Sequence, residues 1–335
     1  MLFRSMQGIK DYLFPQDDVH SVVEGFKSGM KEQMVAGLSG ASRSLMVSML
    51  QESLERPVII VTHQLIQAQQ LYEDMQELTD AEHVHLYPVN ELIASEIAVA
   101  SPELRSQRID ALSQWLSQEK GILIAPVAAL KRMMPPKSYW EQSQLPFRVG
   151  EEINLDEYLE RLVNMGYDRT EMVATPGEFS LRGGIMDVYP LTAEFPYRIE
   201  LFDTEVDSIR TFDSETQRSH DKLDAIQIGP ATELLLKDED FARAHDRLEN
   251  ALSHSLKKLT KQDAKETLAQ VVEHDLDLLK AKEHFQEIYK YIGYFYEEPV
   301  SLLDYLPETG LVILDEMSRI QETANRLDQE EAEWH

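Results

Sequence analysis

Over the first 135 residues, short apolar runs alternate with helical sequences, and this alternation constrains the possible folds most strongly. PVIIVTH (57–63) is a β-branched run of the kind found in strands buried in parallel sheets. HVHLYP (83–88) and GILIAPVAAL (121–130) have the same character, and segments with helical spacing of apolar residues lie between the runs. Strands that alternate with helices predict an α/β domain with a doubly wound parallel sheet.

A glycine-bearing loop precedes these runs in the stretch VAGLSGASRSLMVSMLQESL. Its layout is that of a P-loop, G-x-x-x-x-G-K-S/T, whose backbone N–H groups hold phosphates at a helix N-terminus. Gly37 and Ser44 match the pattern. Ser42 stands at the second glycine position and Arg43 at the lysine position, where a planar guanidinium does not reproduce a compact ammonium. We therefore predict a degenerate loop that is kept for folding, with a catalytic ATP site as the alternative.

An acidic pair follows the last apolar run of the sequence, LVILDE. Asp315, at the end of the predicted strand Leu311 to Leu314, and Glu316 resemble a Walker B pair, whose carboxylates hold Mg²⁺ and orient water. Such a pair is common after apolar runs, so it gains weight only from the glycine loop. We predict no catalytic residue and a nucleotide-site remnant that comprises Gly37, Gly40, Ser42, Arg43, Ser44, Asp315 and Glu316.

The pattern changes after the proline pair in MMPPKSYW (133–140). Short alternating runs joined by Gly, Pro and Asp turns follow, and they predict an antiparallel sheet. From about 235 to 292 the sequence is charged and helix-rich. We divide the chain into an α/β domain with the degenerate loop (1–141), an inserted small α+β domain (142–228), and helices plus one strand that complete the α/β domain (229–335).

Charge and cysteine content argue against several classes of function. Lys and Arg number 32 against 60 Asp and Glu, a net charge of −28, so strong binding to nucleic-acid phosphates is not expected. The sequence has no cysteine, which excludes disulfides and thiol catalysis and fits a reducing, cytoplasmic compartment. It has no run of 18 apolar residues and no histidine spacing typical of a metal site, so we expect neither membrane contact nor bound metal. We also expect the chain to be a monomer.

Five stretches of the sequence carry a family resemblance. They are the loop 37–44 and the runs LYPVNELIASEIAVASPELRSQR (86–108), PGEFSLRGGIMDVYPL (176–191), RIELFDTEVDSIRTFD (198–213) and LLDYLPETGLVILDE (302–316). Together they closely resemble the N-terminal, UvrB-homology region of the bacterial transcription-repair coupling factors (Mfd), over essentially all 335 residues. The same region is similar to the first half of the excision-repair protein UvrB.

The resemblance implies a non-catalytic adaptor. In this family the inserted domain docks onto the repair protein UvrA, and the full protein is an ATP-dependent DNA translocase that acts at RNA polymerase stalled at DNA lesions. The implied role is to recruit excision repair and, in the full protein, to restrain the motor. RNA polymerase, DNA, ATP and Mg²⁺ would contact the C-terminal regions that this sequence lacks, so no cofactor is expected here.

Comparison with UvrB bears on the loop and on the alternatives. UvrB has an intact P-loop where this sequence has Gly37 to Ser44, and a tyrosine-rich hairpin that grips damaged DNA where this sequence has only Tyr87. The resemblance therefore implies that this sequence has lost both ATP hydrolysis and the grip on damaged DNA. An ATP-hydrolysing, helicase-like fragment and a direct damaged-DNA-binding module remain the two alternatives; the first predicts nucleotide binding, and the second predicts salt-sensitive DNA affinity.

The resemblance also points to partner-binding residues. Arg169 and Arg182 fall where UvrB carries arginines that contact UvrA, whereas Ser180 occupies a third such position. Arg198 and Glu200 are two apart on one predicted strand and share a face, although alternating polar residues also mark an ordinary solvated face. Residues 138–221 contain seven arginines and no lysine, a bias typical of interfaces. With an aromatic anchor added, the predicted UvrA-binding set is Arg169, Phe179, Arg182, Arg198 and Glu200.

Overall fold

The structure is a computed structural model that describes residues 17–90, 102–285 and 287–334. The helices are α1 (Asp17–Lys27), α2 (Ala41–Leu54), α3 (Leu65–Leu78), α4 (Pro102–Leu116), α5 (Lys137–Gln142), α6 (Leu155–Asn164), α7 (Asp238–Lys258), α8 (Gln262–Lys280), α9 (Ile292–Phe295) and α10 (Met317–Trp334). Short 3₁₀ segments occupy Ala81–His83, Val127–Lys131, Ile288–Tyr291 and Leu302–Tyr305. None of the helices in these ranges is long and apolar enough to cross a membrane.

Twelve strands occur in the described ranges. They are β1 (Val58–Thr62), β2 (Val84–Leu86), β3 (Ile122–Pro126), β4 (Leu145–Arg148), β5 (Asp168–Arg169), β6 (Glu178–Arg182), β7 (Ile185–Val188), β8 (Tyr197–Phe202), β9 (Glu205–Phe212), β10 (Ser219–Leu223), β11 (Ala225–Ile228) and β12 (Leu311–Leu314). The chain divides into two compact units, which comprise 1–96, 110–132 and 302–335 in the first and 97–109 and 133–301 in the second. The boundaries that we drew at 142 and 228 stay a prediction.

A four-stranded parallel sheet with the order β12–β1–β3–β2 organises the first unit. Every residue of β1 and β3 is buried, as expected for strands that helices cover. Ala68, Leu71 and Met75 recur at helical spacing along α3 and pack against these strands. The predicted parallel α/β sheet is confirmed, including the distant strand β12, which pairs with β1.

The second unit contains a six-stranded sheet with the order β10–β9–β8–β7–β6–β5. Its pairs are antiparallel as predicted, except that β5 runs parallel to β6. One face is the core of the sheet, and its six central side chains are at most 1% exposed: Phe179, Met186, Val188, Ile199, Val206 and Ile209. Helix α6 packs on this core through Leu162, and β4 and β11 form a separate two-stranded sheet.

Two long helices, α7 and α8, build a second core in the same unit. Leu248, Leu276 and Phe295 belong to this apolar cluster. Two carboxylates are buried beside it and are fully engaged: Asp240 accepts a hydrogen bond from Tyr139, and Asp275 accepts one from Tyr291. Hydrogen bonding offsets much of the cost of burying a charge, so these carboxylates are part of the structural core.

Candidate functional site

The face of the six-stranded sheet that lies opposite its core is polar. Side chains alternate across a strand, so the residues between the buried apolar ones emerge on the other side. The strand register places Arg182 on β6, Asp187 on β7, Arg198 and Glu200 on β8 and Arg210 on β9 on this face. We call this face the polar face.

A bidentate ion pair lies at the centre of the polar face. Arg198 donates from Nε to Oδ1 of Asp187 and from Nη2 to Oδ2, each at 2.7 Å, and Asp187 is only 1% exposed. The Arg198 guanidinium also lies 4.2 Å from the centre of the Phe212 ring and donates to Oε1 of Gln217. The hydrogen bond with Asp187 raises the pKa of Arg198, against the opposing effect of burial. Arg198 is therefore held in place by internal contacts.

Arg182 and Glu200 are the charged side chains of the polar face that are most exposed to solvent. The Arg182 side chain is 48% exposed and donates a single bond of 3.2 Å to Asp187. Glu200 is 33% exposed and pairs with Arg210 at 2.6 Å, while Ser208 donates to it at 2.8 Å. These neighbours orient the carboxylate and leave part of it in solvent, so Arg182 and Glu200 present opposite charges on one surface.

Arg169 and Phe179 do not join this surface. The register pairs Arg169 on β5 with Phe179 on β6, so Arg169 lies on the core side of the sheet and reaches solvent at its edge. Within the described ranges no hydrogen bond or ion pair forms at its guanidinium. Phe179 is 0% exposed and belongs to the core, so the expectation that it anchors a partner is wrong. Ser180 is also buried, at 1% exposed.

The glycine loop is placed before α2, as expected, but its polar groups are already engaged. Ser42 N and Arg43 N donate to the carbonyl oxygens of Ser39 and Gly40 at 3.3 and 3.2 Å. Gly40 precedes α2 with a φ of 53°, and Gly37 has a φ of 84°. The described residues 17–40 contain helix α1 and no strand that leads into the loop. Two amides of the loop, those of Ser42 and Arg43, therefore bond within the loop, whereas a P-loop directs its amides to phosphate.

The side chains of the loop are engaged as well. Arg43 Nη1 lies 3.1 Å from both carboxylate oxygens of Asp315 and 3.8 Å from Glu316 Oε1. Ser44 is 2% exposed and donates to Oδ2 of Asp74 at 2.8 Å. The structure thus brings the two halves of the predicted remnant together, as an ion pair between the cation and the acidic pair.

Part of the stretch that we compared with the DNA-gripping hairpin, residues 91–101, lies outside the described residues. Tyr87 is 1% exposed, so its ring does not present a surface to DNA. Within the described ranges no group of three or more His, Asp or Glu side chains is arranged to hold a metal ion. The conspicuous residue that sequence reasoning missed is Asp187, the lone carboxylate within the apolar run GIMDVYP.

A family model for the UvrB interaction domain matches residues 145–234, a range that contains the whole six-stranded sheet and its polar face. Transcription-repair-coupling factor from Bacillus subtilis (strain 168) is 50% identical over 329 residues, which cover 98% of this chain. This chain matches the UvrB-homology region of the transcription-repair coupling factors. The corresponding proteins of Staphylococcus aureus (strain MRSA252) and Staphylococcus haemolyticus (strain JCSC1435) are each 36% identical over 89% of it.

The match covers only part of those relatives. The chain spans 28% of the length of the Bacillus protein and 25% of each Staphylococcus protein. The predicted resemblance to the UvrB-homology region is confirmed, and the activity of the whole relatives does not transfer to this chain by identity alone. Apart from Phe179, the individual residues of the predicted UvrA-binding set and of the nucleotide-site remnant stay predictions.

Proposed function

We propose that this chain is a non-catalytic adaptor module that binds UvrA and recruits excision repair to RNA polymerase stalled at DNA lesions. The match of residues 145–234 to the UvrB interaction domain is the observation that carries the proposal. The polar face lies within this range and offers what a protein partner recognises. It has an exposed arginine, a part-exposed glutamate and a fixed ion pair beneath them.

The contact surface that we propose is smaller than the set of residues taken from the sequence. Arg182 and Glu200 make direct, charge-assisted bonds to the partner, since both have free bonding capacity in solvent. Arg198 acts through Asp187 by holding the centre of the face rigid. Arg169 contributes from the edge of the sheet. A rigid face loses less side-chain entropy on binding than a mobile one, which favours the complex.

The glycine loop, in this proposal, is a degenerate P-loop that neither binds nor hydrolyses ATP. Arg43 is paired with Asp315, and the Ser44 hydroxyl is buried against Asp74, so neither is free to contact a phosphate or Mg²⁺. The module is a cytoplasmic monomer without a cofactor. RNA polymerase, DNA, ATP and Mg²⁺ belong to the remaining three-quarters of the longer relatives, whose motor this module also restrains.

Co-elution on a sizing column tests the proposal. The whole chain is mixed with purified UvrA, and the same run is made with UvrA and with the chain alone. We expect a complex that contains both proteins and that forms without added ATP or DNA. Separate elution of the two proteins at micromolar concentration would overturn the proposed function.

A further inference from the structure

Phe202 on the six-stranded sheet is an apolar side chain that lies mainly in solvent. Phe202, the last residue of β8, is 78% exposed, whereas Phe147, Phe179 and Phe212 in the same unit are at most 1% exposed. A phenylalanine that is mainly in solvent gains nothing from burial in this fold. The exposure therefore needs another explanation.

Phe202 lies on the polar face. Along β8 the side chains of Ile199 and Leu201 turn to the core, and those of Glu200 and Phe202 turn the other way. Glu200 on β8 lies opposite Ile185 on β7, and the Ile185 side chain is 37% exposed. Ile185 and Phe202 are thus diagonal neighbours on adjacent strands, a separation that an aromatic ring spans.

Two glycines set the approach of β7 to β8 next to Phe202. Gly183 and Gly184 form the turn between β6 and β7, and the Gly184 carbonyl accepts a hydrogen bond of 2.7 Å from Leu201 N. A Cβ at Gly184 would lie 2.7 Å from the Leu201 oxygen, so the close approach of these strands requires a glycine. This close approach fixes the spacing of the ends of β7 and β8, which carry Ile185 and Phe202.

The hairpin that carries Phe202 is held firmly. Phe202 pairs with Glu205 across a two-residue turn, and the Thr204 carbonyl accepts a hydrogen bond of 2.8 Å from Ile153 N. Val206 exchanges hydrogen bonds with the segment 150–151, through its N–H at 2.9 Å and its carbonyl at 2.8 Å. The ring is therefore presented on ordered backbone, and fixing it on binding loses little entropy.

We infer that Phe202 and Ile185 form the apolar anchor of the partner-docking surface, with Arg182 and Glu200 as its charged rim. This inference rests on the proposed function and names the part of UvrA that the surface fits. That part is an apolar pocket flanked by an acidic group, which meets Arg182, and by a basic group, which meets Glu200. Aromatic anchors in pockets supply much of the binding energy of protein interfaces, and polar rims supply orientation.

Calorimetric titration of the whole chain with UvrA tests the anchor. We compare wild type with Phe202→Ala, Ile185→Ala and Arg182→Ala, and with Val163→Ala as the control, because Val163 is 48% exposed on α6 of the same unit. We expect Phe202→Ala to weaken binding by about tenfold or more, and Val163→Ala to bind like wild type. All variants should stay folded and unfold within a few degrees of the wild-type temperature, since none of the changed side chains is buried.

Salt separates the anchor from the rim. The loss caused by Phe202→Ala should be the same at low and high ionic strength, whereas the loss caused by Arg182→Ala should shrink as salt screens its charge. Wild-type affinity for Phe202→Ala, in a titration where Arg182→Ala binds weakly, would overturn the anchor and leave the proposed function standing. No binding by the wild-type chain would instead overturn the proposed function.

Discussion

Arg198 and Asp187 form a bidentate ion pair across β7 and β8, with both hydrogen bonds 2.7 Å long and the carboxylate 1% exposed. Asp187 also accepts a bond from Arg182. The carboxylate therefore fixes two arginines at once, and one of them stays half in solvent. Because both arginines bond to one carboxylate, their positions on the polar face are fixed before a partner binds.

Replacing Asp187 should destabilise the fold. Asp187→Ala leaves Arg198 largely buried without its counter-ion, and we expect a loss of about 3 kcal/mol in the free energy of unfolding. Glu200→Ala is the matched control, because its ion pair with Arg210 is part-exposed and should contribute less than about 1 kcal/mol. Urea denaturation followed by circular dichroism measures both. Equal effects of the two changes would contradict a structural role for Asp187.

The ion pair between Arg43 and Asp315 predicts that the glycine loop does not bind nucleotide. Mg-ATP should not shift the thermal unfolding midpoint of the chain, because the cation of the loop is already neutralised. The variant Arg43→Lys should behave the same, since the Ser44 hydroxyl stays bonded to Asp74. A midpoint that rises with Mg-ATP in the wild type, and no longer rises in Asp315→Ala, would show a working site instead.

His85 predicts a loss of stability in mild acid. Burial lowers the pKa of His85 below its ordinary value of 6.5, against a weaker opposing effect of its hydrogen bond with Gln118. The unfolded chain therefore takes up the proton first, and the stability that neutral His85 contributes is lost as the pH falls below about 6.5. His284, whose pKa burial also lowers, acts in the same direction.

Urea denaturation at about pH 7.5 and about pH 5.5 measures this effect. The free energy of unfolding should fall less between the two values for His85→Gln than for wild type, because glutamine places an amide near the position of the His85 Nε2 atom and does not titrate. His83→Gln is the control, since the His83 side chain is 45% exposed. An identical pH dependence for His85→Gln and wild type would contradict the prediction.

Gly184 should tolerate no side chain. A Cβ there would approach the Leu201 carbonyl oxygen to 2.7 Å, and neither backbone segment can yield without breaking the pairing of β7 with β8. We expect Gly184→Ala to cost about 1–3 kcal/mol in unfolding free energy. Gly229→Ala is the control, because its nearest neighbour would be a flexible glutamine at 3.7 Å. Equal stability of the two variants would refute the steric argument.

Much of the fold follows from local sequence patterns. A parallel sheet covered by helices is indicated by the β-branched runs at β1 and β3 and by the apolar spacing in α3. The structure confirms this sheet. The alternation of side chains along β6 also indicates that Phe179 is buried, because Phe179 shares a face with Leu181 and not with Arg182. The prediction that Phe179 anchors a partner rests on the frequency of aromatic residues at interface hot spots, and the burial of its ring contradicts it.

Other features depend on contacts between distant residues. Arg43 and Asp315 are 272 positions apart, so no local pattern predicts that they neutralise each other. The two-residue strand β5 is too short to have a periodicity, and its parallel pairing with β6 decides which face Arg169 takes. The exposure of Phe202 likewise depends on which face of β8 is covered by other elements, and they cover the face of Ile199 and Leu201.

Binding of UvrA through the six-stranded sheet is tested most directly by titrating UvrA into the whole chain and into four variants. They are Arg169→Ala, Arg182→Ala, the double variant and Arg148→Ala, an arginine of β4 that is 65% exposed and serves as the control. We predict that the double variant, folded as judged by its thermal midpoint, loses roughly 2–5 kcal/mol of binding free energy, most of it through Arg182. Arg148→Ala should bind like wild type. Wild-type affinity for the double variant would contradict binding of UvrA through these arginines.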